Sequence, residues 1–321
     1  MLQFEIYRDL NDLNLIPTVD IQLDGAEQLP TIQHIETIVL DTPPLTELEY
    51  RLVKEISSSE FIASHPMFGT VLVKKCRKDS EDYERFCLES KILKTCQSTH
   101  IQRLFETWED EEFQYISLEH TNQTLRQLMS HGFHPMQLMY CIEQFIDGVA
   151  FLHSYQVAHF SITPENIGIF YQPNGSFVCK IMNFDQAHEF DYIYSQDFQE
   201  KVQKKEISLS NYSSYEFIVT DLTDGQLYNE KADVWSLGCI IYELLTYRQF
   251  MYYNDAALEN KMDLCILQAS ELEVYSDEYQ LAKDIMLKCL QKNITERFEA
   301  YELVQLVIQY IKEEYDESAY L

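Results

Sequence analysis

Ala232-Asp233-Val234-Trp235-Ser236-Leu237-Gly238-Cys239, continued by Ile240, Ile241 and Leu245, is apolar on every side and carries one carboxylate in its first turn. A helix with that pattern is buried all round. Alone it reads as an ordinary core helix. On its C-terminal side helical periodicity continues, with Leu303, Val307 and Ile311 on one face. On its N-terminal side Pro135 suits a first helical turn, and Leu138, Ile142, Phe145, Val149 and Leu152 recur at helical spacing. Ile167–Phe170 and Phe177–Ile181 predict a hairpin around Pro173-Asn174-Gly175. Before residue 120 the character changes. Tyr50–Ile56, Thr70–Lys75, Leu104–Trp108 and Gln114–Leu118 are strand-like, and an amphipathic helix is predicted over Ser80–Cys96. The architecture predicted is α+β and bilobal, with a small β-rich lobe over 49–119 and a larger, mainly helical lobe over 120–315. Residues 1–48 read as an acidic extension and 316–321 as an acidic tail.

The 321 residues include 53 acidic and 24 basic side chains, a formal charge of −29. Such a surface repels phosphate backbones and anionic lipid heads, so nucleic acid and membrane are poor partners, and basic protein surfaces are better ones. Acidity kept for solubility alone is an equal reading. With 18 Phe and 22 Tyr, a sizeable core is feasible. The eight cysteines (76, 87, 96, 141, 179, 239, 265 and 289) include no C-x-x-C pair, and most sit in apolar-periodic segments. Reduced thiols of a cytoplasmic protein account for them better than zinc or disulfides. Glu5, Arg8 and Asp9 stand where a signal peptide needs an apolar run.

The order of short motifs adds a resemblance. The Asp233 segment resembles the central-helix signature of eukaryotic serine/threonine protein kinases. His159-Phe160-Ser161-Ile162-Thr163-Pro164-Glu165-Asn166 resembles their catalytic loop, normally H-R-D-x-K-P-E-N, and Asn183-Phe184-Asp185, seventeen residues beyond Asn166, stands where D-F-G belongs. Val71-Leu72-Val73-Lys74 resembles the V-A-I-K strand, Glu89 the helix glutamate that pairs with its lysine, Ser214-Tyr215-Glu216 the A-P-E motif, and Arg297 the late arginine that bonds its glutamate. These motifs run in family order over residues 50–315 and imply the bilobal kinase fold.

The resemblance also exposes departures. Phosphoryl transfer rests on positioning and charge neutralisation. Where the family has a glycine-rich loop this chain has Ser57, Ser59 and Ile62, and a β-branched residue suits a tight phosphate-covering turn poorly. The metal-holding aspartate is Asn183, although Asn166 is retained, so no metal is expected. The catalytic base is Ser161, the lysine two residues on is Thr163, and the arginine before the base is Phe160. Leu72 replaces the alanine that packs over adenine, and Gly168 replaces a large apolar residue beneath it. Either leucine fills the adenine space or volume has moved from one side to the other.

The scaffold residues are kept. By resemblance, Lys74 and Glu89 tie helix to sheet, Leu93, His159 and Phe184 stack in a column anchored near Asp233, and Glu216 with Arg297 pins the activation segment. The reading is a pseudokinase, without catalytic residues or a required cofactor, that acts through protein binding as a scaffold, an allosteric partner or a subunit of an assembly. Candidate surfaces are the acidic faces, residues 1–48, and segment 186–213, whose Tyr192, Tyr194, Ser208, Ser210 and Tyr212 are phosphorylation candidates. Two alternatives stay open. ATP could bind as a metal-independent switch through Lys74, Glu89, Leu72, Glu119 and Asn166. A weak or atypical transferase would instead need Lys74, Asn166 and Asp185 to assemble the site, with Asp185 reaching inward.

Overall fold

In the computed structural model, residues 50–130, 132, 135–204, 208–218, 228–250 and 265–318 are described. The extension over 1–48 and the end of the acidic tail lie outside them.

The small lobe is a five-stranded antiparallel sheet of β1 (Arg51–Glu55), β2 (Glu60–His65), β3 (Gly69–Arg77), β4 (Leu104–Glu109) and β5 (Phe113–Glu119), in the order β1-β2-β3-β5-β4. Helix α1 (Tyr83–Thr95) lies between β3 and β4 in sequence. Alternation along β3 sorts its side chains between two cores. Leu72 and Cys76 pack against the main core, whereas Val71 and Val73 join Tyr50, Phe61, Ala63 and Tyr115 in a second, aromatic one. Tyr50, just before edge strand β1, stacks on Trp108 of the other edge strand at 5.0 Å and donates to Glu106 Oε2 at 2.9 Å. This contact ties the chain just before one edge strand to the other edge strand across the aromatic core.

The large lobe holds α2 (Leu125–Met129), α3 (Pro135–Ser154), α4 (Phe190–Ile193), α5 (Gln196–Gln203), α6 (Tyr215–Ile218), α7 (Lys231–Thr246), α8 (Asp277–Cys289) and α9 (Ala300–Ser318). Hairpin β7 (Ile167–Tyr171) and β8 (Phe177–Ile181) lies at the lobe boundary, where Gln102 N–H donates to Ile181 O. The short strands β6 (Val157–Ala158) and β9 (His188–Glu189) pair with each other. Thirteen of the sixteen residues of α7 are buried, as its all-round apolar pattern requires. Gly238 allows the close approach of α8, since a Cβ there would stand 2.6 Å from Cys289 Cβ and 2.9 Å from the Leu290 side chain. Any larger residue would push the two helices apart.

The α+β bilobal architecture agrees with the sequence. Helix α1 starts at Tyr83, not Ser80, and β2 was not legible as a strand. The described residues of segment 186–213 form β9, α4 and α5, and bury Phe190, Ile193, Phe198 and Val202 in a cluster with Ala158, Phe217, Tyr228 and Ala232, while Tyr194 stays exposed.

Candidate functional site

Asp233 organises the site from below. Its carboxylate is completely buried and accepts from the backbone N–H of His159 and of Phe160, each at 2.7 Å, and lies 3.1 Å from His153 Nε2. A buried carboxylate is tolerable only with such partners. The grip holds Phe160 in the left-handed region, at φ 55°. Burial pushes the His159 imidazole below its ordinary pKa despite the Asp233 charge, which favours the neutral ring. Its Nε2–H then donates to Met182 O at 3.1 Å, and Nδ1 accepts from Ser161 N–H at 3.2 Å. The ring packs edge-on to Phe184 at 4.8 Å, and Leu93 is buried in the same core.

Phe160 occupies the place of a catalytic-loop arginine. Its ring stacks with Phe198 at 5.4 Å and meets Phe217 at 5.4 Å and His188 at 6.5 Å. The segment is thus fastened to the catalytic loop by aromatic packing, where a cation would have required an anionic partner. Burial, then the charges of Arg85 and Lys201, lowers the His188 pKa to about 4. Of the phosphorylation candidates, Tyr212 is buried with its hydroxyl donating to Glu243 Oε2 at 2.5 Å, and Ser210 Oγ accepts from Tyr212 N–H. Tyr192 bonds Asp197 and Lys201, and Tyr194 donates to Glu230 at 2.6 Å. Tyr194 and Tyr212 thus tie the segment to Glu230 and Glu243, and Tyr192 bonds within it.

At the cleft, Lys74 Nζ donates to Glu89 Oε1 at 2.8 Å and to Asn183 Oδ1 at 3.2 Å, with Glu60 Oε1 at 3.9 Å. Burial works against the ammonium charge, but Glu89, Glu60 and Asp185 together hold its pKa above the ordinary lysine value. Asn183 is left-handed at φ 64°. Asp185 lines the same cleft; its Oδ1 is buried without a hydrogen-bond partner, and Gln186 Nε2 donates to Oδ2 at 3.3 Å. The cleft measures about 310 Å³ and is bordered by Ser59, Glu60, Lys74, Glu89, Asn183 and Asp185, among others.

The turn between β1 and β2 closes on itself. Ile56 N–H and Ser57 N–H both donate to Glu60 O, at 2.9 and 3.0 Å, and Ser59 N–H donates to Ser57 Oγ at 3.3 Å. Amides engaged this way are not directed at an anion. Ile62 lies in β2 opposite Leu72, and no backbone cradle forms around it.

In the catalytic loop, Asn166 Nδ2 donates to Ser161 O at 2.9 Å and to Ser161 Oγ at 3.1 Å. Ser161 therefore faces an amide donor, not a base. Thr163 precedes the short 3-10 turn Pro164–Asn166. Glu165 of that turn pairs with Arg126 Nε at 2.7 Å, and the same guanidinium reaches Glu243 Oε1 at 2.5 Å and Tyr212 OH.

Gly168 lies in β7, and a Cβ there would meet Met182 Sδ at 2.5 Å and Phe170 Cε2 at 2.7 Å. Side chains of the same hairpin region thus occupy the space beside it. Glu119 is engaged at both ends: its carboxylate pairs with Lys180 at 2.7 Å, and its carbonyl accepts from Gln102 Nε2 at 2.8 Å. Glu216 and Arg297, both wholly buried, form a two-pronged pair at 2.7 and 2.8 Å.

Gln102, Glu60 and Arg126 were not singled out from sequence. The only trace of Gln102 is a polar residue at the edge of an apolar run, between Ile101 and Arg103-Leu104. Nothing local marks the other two.

Comparison with known proteins agrees with this geometry. The family model described as protein kinase domain matches residues 65–308. Calcium-dependent protein kinase 4 of Plasmodium falciparum is 30% identical over 194 residues, covering 60% of this chain and 34% of its own. Death-associated protein kinase 2 of Homo sapiens is 28% identical over 165 residues, 51% of this chain and 41% of its own. A probable serine/threonine-protein kinase of Saccharomyces cerevisiae is 26% identical over 218 residues, 67% of this chain and 13% of its own. The chain thus spans less than half the length of each of these relatives. On the match over 65–308, with the motifs in order around one cleft, the chain belongs to the protein kinase domain family.

Proposed function

We propose that this kinase domain does not transfer phosphate and serves as a binding module for other proteins, as a scaffold, an allosteric partner or a subunit of an assembly. The observation that carries the reading is Ser161, which stands in the place of the catalytic base and accepts from Asn166 Nδ2 at both its backbone O and its Oγ. The self-bonded β1–β2 turn supports the same conclusion. A neutral amide at 183 is a weak ligand for a hard divalent cation. Partners with basic surfaces fit the charge of −29.

The cleft of about 310 Å³ beside Lys74 favours a second reading, a nucleotide-gated switch that binds without turnover. A ligand that binds only the folded state stabilises it by RT ln(1 + [L]/Kd) and so raises the melting temperature. Thermal melts with ATP and ADP, each with and without magnesium, on wild type and Lys74→Ala, separate the readings. No shift in any condition is the expected result. A shift lost in Lys74→Ala but indifferent to magnesium selects the switch, and a magnesium-dependent shift undercuts the non-catalytic reading and calls for an assay of transferred phosphate.

A further inference from the structure

A second concavity, of about 230 Å³, lies between α8 and α9 and shares no lining residue with the interlobe cleft. Its lining divides by chemistry. Leu281, buried, and the half-buried Leu306 and Tyr310 form an apolar floor, whereas Asp277, Gln280 and Asp284 stand exposed along the α8 rim. At positions i, i+3 and i+7 these three share one face of the helix, which sets the two carboxylates about 10 Å apart along its axis. Gln280 Nε2 donates to Asp284 Oδ1 at 2.9 Å and steadies that carboxylate. Among the described residues neither carboxylate has a cationic partner, although Lys312 follows Gln309 by one turn on α9. Tyr275, two residues before Asp277, is 89% exposed, the largest exposure of any bulky apolar side chain among the described residues. An uncovered aromatic ring beside unpaired carboxylates suits a guanidinium, which stacks on the one and pairs with the other.

We propose that the α8–α9 groove docks a basic segment of a partner protein, with two arginines on Asp277 and Asp284 and an apolar side chain between them on Leu281 and Leu306. The groove is smaller than the pockets that enclose drug-sized ligands, and its size suits individual side chains. Arginine carries an apolar stem for the floor and a planar, always charged head for the rim. Two arginines three residues apart on an extended segment span the same distance, about 10 Å. Charge selects this occupant over the chain itself. Residues 1–48 hold nine acidic side chains against Arg8 alone, and four more acids follow Lys312. A second copy would bring another net charge of −29 to the contact. A cationic partner is attracted where both of these are repelled.

This inference rests on the reading of a protein-binding module and names one of its surfaces and the chemistry of the partner. The probe is the end-blocked peptide Gly-Arg-Ala-Leu-Arg-Gly, titrated into the ¹⁵N-labelled full chain. The control peptide, Gly-Ala-Arg-Arg-Leu-Gly, has the same composition with its arginines adjacent. Shifts are expected at 275–284 and 306–310, with the spaced peptide binding more tightly than the control. Asp277→Asn combined with Asp284→Asn is expected to weaken the spaced peptide at least about threefold. Glu111→Gln combined with Glu112→Gln removes the same charge from exposed positions of the small lobe and is expected to bind as wild type does. Asp277 also complements the N-terminus of α8, so Asp284→Asn alone repeats the test with that charge kept. No binding by wild type at millimolar peptide, shifts spread over the acidic faces, equal losses in the two double variants, or equal affinity for the two peptides overturns the inference. A wild-type dimer that Asp284→Arg dissociates would give the groove to a second copy and overturn it too. None of these readouts involves phosphoryl transfer, so a groove that fails to bind leaves the loss of catalysis untouched.

Discussion

Single side chains decide between catalysis and architecture at several places in this domain. The Glu216–Arg297 pair is wholly buried, and Arg297 Nη1 also donates to Lys231 O and Nε to Gln291 O. Glu216→Ala leaves a buried guanidinium without its counter-charge and is expected to cost about 3–5 kcal/mol of unfolding free energy. Urea denaturation measures it; a loss below about 1 kcal/mol contradicts the assignment. That pair was legible because both residues belong to motifs with a fixed order, as were Lys74–Glu89 and the Asp233 anchor. Glu60, Gln102 and Arg126 were not. Each acts through a partner far away in sequence: Glu60 on Lys74 across β2–β3, Gln102 on Glu119, Arg126 on Glu243. Such pairings follow from tertiary proximity, which no local pattern encodes.

The segment 186–213 gives the clearest lesson at the level of elements. Helices α4 and α5 are short, and helices of that length owe their stability to packing, so periodicity alone could not announce them. Phe160 is the packing partner. Replacing it removes the ring that stacks on Phe198, and Phe160→Ala is expected to destabilise the protein by about 2 kcal/mol. Hydrogen exchange should then accelerate first over 190–203. Unchanged exchange there would show that the aromatic contact does not hold the segment. Acid should act on the same place. The folded His188 pKa, about 4, lies below its ordinary value of 6.5, so the unfolded chain binds more protons between the two. Its contribution to stability is full above about pH 6.5 and declines as pH falls toward 4. The difference in stability between wild type and His188→Gln, followed across that window, isolates the effect from other titrating groups. A difference independent of pH refutes it. Strand β2 was missed for a related reason: Glu60, Ser64 and His65 make Glu60–His65 a weak apolar run, and its pairing with both β1 and β3 supplies what the sequence lacks.

Taken as a whole, the molecule keeps the two-lobe scaffold while its cleft groups bond to one another. The overall charge of −29 has a consequence of its own. Self-repulsion in the compact state is relieved by screening, so the melting temperature is expected to rise as sodium chloride goes from about 0.05 to about 0.5 M. A fall over that range would mean that favourable ion pairs outweigh the repulsion. The most direct check on the non-catalytic reading is phosphoryl transfer itself. Purified wild type and Lys74→Ala are incubated with ATP and magnesium, with a generic protein acceptor present, and every phosphate gained by acceptor or chain is counted by mass spectrometry. Wild type indistinguishable from Lys74→Ala is the expected outcome. Transfer above that baseline, abolished by the lysine substitution, would contradict the reading and make Lys74 part of a working active site.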